Sequence, residues 1–357
     1  MGILIDEILK TAVELDSSDV HLVANSKPIV RINGALVPVN NFSENNSEEL
    51  KKILSEILDE KKINTLETKL ELDFSYSISG LARFRCNYYY QRGSMAAAFR
   101  VVSTKMKSIE ELGLPLKIKE FASYPRGLVL VCGPTGSGKS TTLASIIDII
   151  NEQRSENIIT IEDPIEYLHK HKKSIISQRE VEFDTKTFAE ALKHALREDP
   201  NIIMVGEMRD LETISSTLTA AETGHLVFST LHTQDAAQTI DRIIDIFPTH
   251  QQQQVRMQLA GTLKAVLVQQ LLPNIDNNGR VAACELMLVN NAIKNMIREM
   301  KVHHIYSAMQ TSGKEGMIMM DMSLAKLYKE GKITKELAFD KCHSREELVR
   351  YVNSDVF

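Results

Sequence analysis

Residues 133–140 read GPTGSGKS and match the phosphate-binding pattern G-x-x-x-x-G-K-[ST] at every fixed position. Five apolar residues before them, 128–132, predict a buried strand, and the amphipathic pattern over 141–150 predicts a helix after them. In that context the glycines let backbone N–H groups turn toward phosphate oxygens. Lys139 can reach the β- and γ-phosphates, and the Ser140 hydroxyl can ligate Mg²⁺. The sequence therefore predicts that this loop, called the P-loop below, binds a nucleoside triphosphate. The predicted nucleotide-binding residues here are Gly133, Pro134, Thr135, Gly136, Ser137, Gly138, Lys139, Ser140 and Thr141.

A carboxylate follows a second apolar run. Residues 202–205, IIMV, lead directly into Gly206 and Glu207. In nucleoside triphosphatases an acid at such a strand end polarises the attacking water. Glu207 is therefore the predicted catalytic carboxylate, and we also expect it to help hold Mg²⁺ through the water shell of the ion. The alternative for Glu207 is an exposed glutamate in a loop.

Two more acids follow a third apolar run. Glu162 and Asp163 come directly after residues 158–161, IITI, and Pro164 then forces a turn. These carboxylates could hold Mg²⁺ or a water molecule, which makes both of them candidate catalytic residues. The alternative is a capped turn whose acids are solvated.

Two histidines flank a fourth apolar run. His225 precedes the residues LVFSTL and His232 follows them. A histidine beside an apolar strand is more often a packed core residue than a catalytic one. The Ser and Thr hydroxyls close to both histidines nevertheless favour a polar sensor of the γ-phosphate. We therefore predict that His232 is catalytic and that His225 binds the nucleotide.

The alternation of apolar runs and helical patterns organises the chain from residue 117 onward. This alternation is typical of an α/β fold, a mostly parallel sheet covered by helices. Because ligands bind at the carboxyl ends of such strands, we expect the polar groups after the four runs to meet at one site. Beyond residue 234 the pattern is mostly helical, with a hairpin predicted around 277–279. The predicted second domain is 117–357, and the polar, then Gly- and Pro-containing residues 103–116 predict a linker before it.

The residues before the linker, 1–102, predict a small α+β domain. The pattern indicates a helix, a hairpin with an Asn33-Gly34 turn, a helix over 47–62 with Ser47 as its N-cap, and three strands. Two of those strands carry Arg83, Arg85 and Arg100. Nucleoside triphosphatases often take a charge-stabilising arginine from a second domain or subunit, so all three are candidates for that role. The alternative is that they are solvated side chains on strand edges.

Composition excludes several classes of protein. The net charge of −5 argues against a dedicated nucleic-acid binder, which usually carries a basic surplus. No apolar run reaches the roughly 18 residues that span a bilayer, and the N-terminus lacks the features of a signal peptide. Any membrane association is therefore expected to be peripheral. Four scattered cysteines without a C-x-x-C pair indicate free thiols in a reducing compartment and no zinc site.

Taken together, the motifs resemble those of the secretion-ATPase superfamily, the motors of type II and type IV secretion and of type IV pili. Four segments are similar to its Walker A, aspartate, Walker B and histidine boxes, in that order: GPTGSGKST at 133–141, TIEDPIEY at 160–167, IIMVGEMRD at 202–210 and TGHLVFSTLHT at 223–233. Residues 18–21, SDVH, also resemble a signature near the N-terminus of that superfamily.

The resemblance implies an architecture and a set of partners. It implies a PAS-like first domain, a RecA-like ATPase domain, a homohexameric ring, and ATP with Mg²⁺ as the bound species. It also implies that arginines of the first domain reach the nucleotide. The expected cellular location is the cytoplasmic face of the inner membrane. There the ring would bind a pilus platform protein and no nucleic acid.

Within the superfamily the chain is most similar to the retraction ATPases of type IV pili. It lacks the long N-terminal extension and the four-cysteine insert of pilus-assembly and type II secretion ATPases. Residues 291–299, NAIKNMIRE, resemble the AIRNLIRE segment of retraction ATPases, with Lys294 and Met296 as departures. The expected activity is hydrolysis of ATP to ADP and phosphate, which would drive pilus disassembly and twitching motility.

Three other functions stay open at this point. The first is pilus extension, or secretion by a type II or type IV system, on the same fold. The second is an ATP-binding regulatory ring that does not sustain turnover. The third is a RecA-like motor on nucleic acid, which the acidic balance disfavours.

Overall fold

A computed structural model describes residues 4–32, 34–103, 105–276 and 278–354 of the chain. Two compact units are present. The first comprises Met1–Lys105 with Glu166–Leu168, and the second comprises Met106–Ile165 with His169–Phe357. Ile109 and Leu114, in the segment predicted as a linker, are buried in the core of the second unit.

The first unit is a six-stranded antiparallel sheet with helices on one face. Its strands are β1 (Asp19–Leu22), β2 (Ile29–Ile32), β3 (Ala35–Pro38), β4 (Glu71–Ile78), β5 (Ala82–Gln91) and β6 (Ser94–Val102). Its helices are α1 (Leu4–Glu14), α2 (Ser47–Ser55) and α3 (Glu60–Lys69). The strand order is β3-β2-β1-β6-β5-β4. Alternate residues of the strands, such as Phe84 and Phe99, are buried against the helices, and the residues between them face away from this core.

The structure differs from the sequence prediction at the second helix. The single helix predicted over 47–62 is two helices, and its predicted N-cap, Ser47, is wrong. Asn46 caps α2 instead: its side chain accepts from the N–H groups of Glu48 and Glu49, and Glu49 returns a bond to the Asn46 N–H. Asp59 caps α3 separately. The predicted turn between β2 and β3 includes Asn33, which lies outside the described residues.

The second unit is a seven-stranded sheet in the order β13-β12-β7-β11-β10-β8-β9. Its strands are β7 (Gly127–Cys132), β8 (Asn157–Glu162), β9 (Ile175–Glu180), β10 (Ile202–Val205), β11 (Leu226–Leu231), β12 (Leu263–Pro273) and β13 (Arg280–Leu288). Strands β7 to β12 are parallel to their neighbours, and β13 pairs with β12 as the predicted antiparallel hairpin. Strand β9 lies at one edge of the sheet and is absent from the sequence prediction.

Helices cover both faces of this sheet. They are α4 (Lys139–Gln153), α5 (Phe188–Ala195), α6 (Leu211–Glu222), α7 (Ala236–Asp245), α8 (Thr249–Thr262), α9 (Asn291–Arg298), α10 (Ile305–Thr311), α11 (Met320–Lys329), α12 (Lys335–Lys341) and α13 (Arg345–Asn353). Strand β7 is buried along its whole length. Leu128 and Leu130 pack into the core on one face, and Val129 and Val131 pack into the core on the other. This burial on two faces explains the continuous apolar runs in the sequence. None of the described helices is long and apolar enough to cross a membrane.

Candidate nucleotide-binding and hydrolysis site

The P-loop joins the end of β7 to the start of α4. Gly133 has φ of +136°, and a Cβ added there would lie 2.2 Å from the backbone oxygen of Gln269 on β12. Only glycine therefore fits this position without a shift of the backbone. Gly138, with φ of +89°, is the residue before the first turn of α4. The loop thus presents the start of a 15-residue helix, where backbone N–H groups favour an anion.

Lys139 folds back over the loop. Its Nζ donates to the Gly133 oxygen at 2.8 Å and to the Pro134 oxygen at 3.0 Å. Burial lowers the pKa of Lys139, and the nearby Cys132 and Glu207 side chains oppose that shift. The ends of β7 and β10 lie at the same edge of the sheet, because both strands are parallel to β11 between them.

Glu207 and His232 are brought together, as the sequence analysis expected of the strand ends. His232 Nε2 lies 3.3 Å from Glu207 Oε2, although the two residues follow different strands, β11 and β10. Arg209 Nε lies 2.8 Å from the same oxygen. The Glu207 side chain is 15% exposed, so one face of it is open to solvent or a ligand. Arg209 is a further site residue that was not predicted, and its signal in the sequence is a cation two residues after the predicted acid.

Hydroxyl groups fix the backbone beneath Glu207. Thr230 Oγ1 donates to the Gly206 oxygen at 2.6 Å, and Ser229 Oγ donates to the Val205 oxygen at 2.9 Å. Gly206 also packs closely on β8, because a Cβ there would lie 3.2 Å from the Ile161 oxygen. The loop that carries Glu207 is therefore held from both neighbouring strands.

Glu162 and Asp163 lie at the same edge of the sheet but differ in environment. Glu162 is buried, and its Oε1 accepts from Thr160 Oγ1 at 2.7 Å and from Gln178 Nε2 at 3.1 Å. Asp163 is exposed. Since β8 is three strands from β7, the carboxyl end of β8, which carries both acids, lies about 14 Å from the P-loop strand. Glu207 is closer, because β10 is two strands from β7.

The structure corrects the prediction that His225 binds the nucleotide. His225 precedes β11, and β11 runs parallel to β7 in the register Leu226 with Gly127 and Leu231 with Cys132. His225 thus lies at the amino end of the strands, about 20 Å from the P-loop edge. Its Nδ1 lies 2.9 Å from the Ala220 oxygen at the end of α6. This contact has a structural role.

The three candidate arginines lie in the first unit, on the face of the sheet opposite the helices. Arg85 pairs with Arg100 across β5 and β6, and Arg83 lies two residues before Arg85 on the same face. Arg100 Nε donates to Asp19 Oδ1 on β1 at 2.9 Å. Arg85 Nη1 lies 4.0 Å from Glu166 Oε1. The arginines thus form a row of cations that is partly balanced by acids.

A cavity of about 390 Å³ adjoins the P-loop. Its wall includes Pro134 and Ser137 of the loop, Gln234 after β11, Leu271 of β12, and Cys342 and His343 near the C-terminus. The segment 340–344 is called the C-terminal corner below, and its residues 340–343 line this cavity together with the P-loop.

The donors at this site fit a nucleotide-bound magnesium ion. Among the described residues, no group of three or more His, Cys, Asp or Glu side chains could hold a metal by itself. Mg²⁺ on a nucleotide needs only one or two protein oxygens, because phosphates and waters supply the rest. Ser140, exposed in the first turn of α4, and the Glu207 carboxylate are hard oxygen donors of that kind.

The mostly parallel sheet, the P-loop at the end of β7 and the acid at the end of β10, two strands away, define a RecA-like P-loop ATPase unit. The family model described as "Type II/IV secretion system protein" matches residues 1–278. The chain belongs to this family, and the family and the fold class expected from the motifs are thereby confirmed.

Individual relatives also match the chain over nearly its whole length. The type IV pilus retractation ATPase PilT of Pseudomonas aeruginosa is 48% identical over 337 residues, which cover 94% of this chain and 97% of the relative. The twitching motility protein of Neisseria gonorrhoeae is 45% identical, with 96% of this chain and 91% of the relative covered. The crystal structure of the pilus retraction motor PilT with bound ADP superposes with a TM-score of 0.88 at 51% identity, covering 96% of this chain and 98% of that one.

Proposed function

We propose that the chain is the ATP-hydrolysing motor that retracts type IV pili and so powers twitching motility. The observation that carries the proposal is the meeting of Glu207 and His232 at the P-loop edge of the sheet. The relatives named as retraction ATPases, which match over nearly the whole chain, support the assignment of this site to pilus retraction.

Binding would begin with the phosphates of ATP at the P-loop. The Lys139 ammonium donates to two loop carbonyls. Phosphate oxygens are stronger acceptors than neutral carbonyls, so they would draw this ammonium toward the β- and γ-phosphates. Ser140 would hold Mg²⁺ directly and Glu207 would hold it through water. The ion supplies charge neutralisation of the phosphates when bound.

Hydrolysis would depend on Glu207. The carboxylate would orient the attacking water and accept its proton. Arg209 and His232 both touch Glu207 Oε2 and so restrict its rotation. His232 would also sense the γ-phosphate, and its position after the strand that pairs with β7 supports this role. Glu162 and Asp163 would act at the outer side of the site, where they could bind a water or the ion.

The mechanical work of the motor would come from closure of the first unit on the nucleotide. Arg83, Arg85 and Arg100 would stabilise charge on the phosphates only in the closed arrangement, so hydrolysis and release would be coupled to domain movement. We propose that this occurs around a homohexamer at the cytoplasmic face of the inner membrane. The ring would act on a pilus platform protein and associate with the membrane only peripherally.

A Glu207→Gln substitution in the source cell tests the direction of the motor. Abundant surface pili together with lost twitching are expected, because fibres would still be built and not withdrawn. The matched control is Glu212→Gln, the same chemical change at an exposed position on α6, which should leave both readouts unchanged. Absence of pili in the Glu207 variant would assign the chain to extension, and normal pili with normal twitching in a variant that has lost ATP turnover would remove it from the pilus system.

A further inference from the structure

A buried carboxylate on β13 lies between the site and the C-terminal helices. Glu285 is 2% exposed, and its Oε1 accepts the Ala236 N–H at 2.8 Å. Ala236 is the first residue of α7. Burial raises the pKa of Glu285 to about 7, and the backbone N–H groups of Ala236 and of Met320, the first residue of α11, oppose the shift. Glu285 thus accepts the first N–H of α7, and its neighbour Cys284 donates its N–H to Ser323 Oγ of α11 at 3.0 Å, so β13 contacts both helices.

The contact with α7 bears on His232. Only four residues, 232–235, connect the end of β11 at Leu231 with the start of α7. The first end of this turn is fixed because Leu231 pairs with β7 in the middle of the sheet. The second end is fixed by the hydrogen bond from Ala236 to Glu285. The place of His232 beside the catalytic carboxylate therefore depends on Glu285, although Glu285 does not touch the histidine.

The contact with α11 leads back to the P-loop by a second route. Asp321, the residue after Met320, is buried and accepts two backbone N–H groups, that of His343 at 2.7 Å and that of Ser344 at 2.9 Å. These residues belong to the C-terminal corner, and His343 lines the cavity beside the P-loop. Polar contacts of β13 with the start of α7 and with α11, and of α11 with the C-terminal corner, thus connect the turn after β11 to the opposite wall of the site.

We propose that Glu285 is a positioning residue for ATP hydrolysis, which sets His232 against Glu207 and couples that placement to helices α11 to α13. The inference rests on the proposed ATPase function. Glu285 Oε2 accepts no hydrogen bond of normal geometry from the described residues. Glu285 Oε2 can therefore accept a hydrogen bond from α11 if that helix moves closer. A shift of the C-terminal helices would then change the position of the start of α7.

The test compares two substitutions of Glu285 in the full chain with a matched control. Glu285→Leu removes both acceptors, and Glu285→Gln keeps the carbonyl oxygen that accepts the Ala236 N–H. The control is Thr217→Val, which loses one buried hydrogen bond inside α6, from Thr217 Oγ1 to the Thr213 oxygen. The measurements are steady-state kcat and KM for ATP, the Kd of a fluorescent ATP analogue, and the thermal unfolding midpoint.

We expect Glu285→Leu to lower kcat by about 10- to 100-fold, as misplacement of a catalytic group by roughly an ångström does. The Kd should stay near the wild-type value, Glu285→Gln should recover most of the rate, and Thr217→Val should keep it. A second variant, Asp321→Asn, weakens the hydrogen bonds between α11 and the C-terminal corner. It should also lower kcat without changing the Kd. It serves as the test if Glu285→Leu does not fold.

The following outcomes would overturn the inference. Equal kcat values for folded Glu285→Leu and Thr217→Val would reduce Glu285 to a structural residue, and so would a raised KM at unchanged kcat. A wild-type chain that does not hydrolyse ATP would overturn the proposed function and this inference together. Wild-type activity with an unaffected Glu285→Leu variant would overturn the inference alone.

Discussion

Arg100 Nε donates a hydrogen bond of 2.9 Å to Asp19 Oδ1 across strands β6 and β1. Arg31, on the other side of β1, lies 3.7 Å from the second oxygen of the same carboxylate. Asp19 therefore holds two cations on the face of the sheet that also carries Arg85. Asp19 also fixes the direction of the Arg100 side chain through its Nε and would compete with a phosphate for the same guanidinium.

The first prediction concerns the stability that Asp19 contributes. Burial tends to raise the pKa of Asp19, but hydrogen bonds from Ser18 and Arg100 outweigh it and lower the pKa below the ordinary value of 3.8. A lowered pKa means that the stabilisation is present above the unfolded value and is lost as pH falls through the folded value. Asp19→Asn should therefore reduce the free energy of unfolding at pH 7 by about 1 kcal/mol or less, since Arg100 is largely exposed.

Urea unfolding at several pH values checks this expectation. The difference between wild type and Asp19→Asn should be constant from pH 7 to 5 and should shrink below about pH 4. Asp16→Asn is the control, because that carboxylate is exposed and lies 3.8 Å from Lys105. A difference for Asp19→Asn that grows as the pH falls would contradict the assignment.

The second prediction concerns Lys139. Lys139→Ala should abolish ATP binding and leave the fold intact, because the ammonium contacts only loop carbonyls in the structure and would contact phosphates in the complex. Equilibrium binding of a fluorescent ATP analogue measures the first effect and circular dichroism the second. Lys193→Ala, at an exposed site on α5, is the control. Normal ATP turnover by Lys139→Ala would remove the P-loop from the proposed site.

The third prediction separates binding from hydrolysis at Glu207. Glu207→Gln should bind ATP with near wild-type affinity but hydrolyse it at least about 100-fold more slowly, because an amide cannot accept the proton of the attacking water. Single-turnover hydrolysis and analogue binding on the same preparation make the measurement. If turnover were unchanged, the catalytic role would move to Glu162 or Asp163.

The fourth prediction contrasts two glycines of one loop. Gly136→Ala should cost about 1 kcal/mol of stability, because φ is +79° there but nothing lies within 4 Å of an added Cβ. Gly133→Ala should cost about 3 kcal/mol or more, since its Cβ would collide with the backbone of β12. Denaturant unfolding without nucleotide measures both. Equal losses of stability for the two variants would mean that the backbone of β12 shifts to accommodate the methyl group.

The fifth prediction is a pH dependence that Glu285 produces. Its folded pKa of about 7 lies above the ordinary 4.5, so the folded chain binds the extra proton between these values. Stability is therefore full below about pH 4.5 and is lost as the pH rises toward 7 and beyond. Glu285→Gln cannot ionise, so it should gain stability relative to wild type between pH 5 and pH 8. Thermal unfolding of both at several pH values tests this, and a gap that narrows with rising pH would contradict it.

Much of the ATPase unit could be predicted because its strands are buried on both faces. Such strands read as apolar runs, and the polar residue after each run lies at the ligand edge by the geometry of a parallel sheet. Glu207 and His232 meet for this reason. The same geometry places His225 at the opposite edge of the sheet, because that residue precedes its strand.

Other features depend on contacts that the local sequence does not encode. Strand β9 has a mixed polar pattern because it lies at the sheet edge, with Ile175 exposed. Asn46 displaced Ser47 as a cap, since either residue type suits that position. Glu285 looks like an ordinary strand glutamate, and its burial appears only when the C-terminal helices pack over β13.

The four cysteines differ in how accessible their thiols are to chemical reagents. Cys86, Cys132 and Cys284 are buried, whereas Cys342 is partly exposed and lines the cavity beside the P-loop. An alkylating reagent would therefore modify Cys342 first, and a nucleotide that filled the cavity would slow that reaction. Cys132 directly precedes the P-loop and has no access to reagent while β7 is paired. Its labelling rate would report the opening of the central sheet in a chain that needs no introduced label.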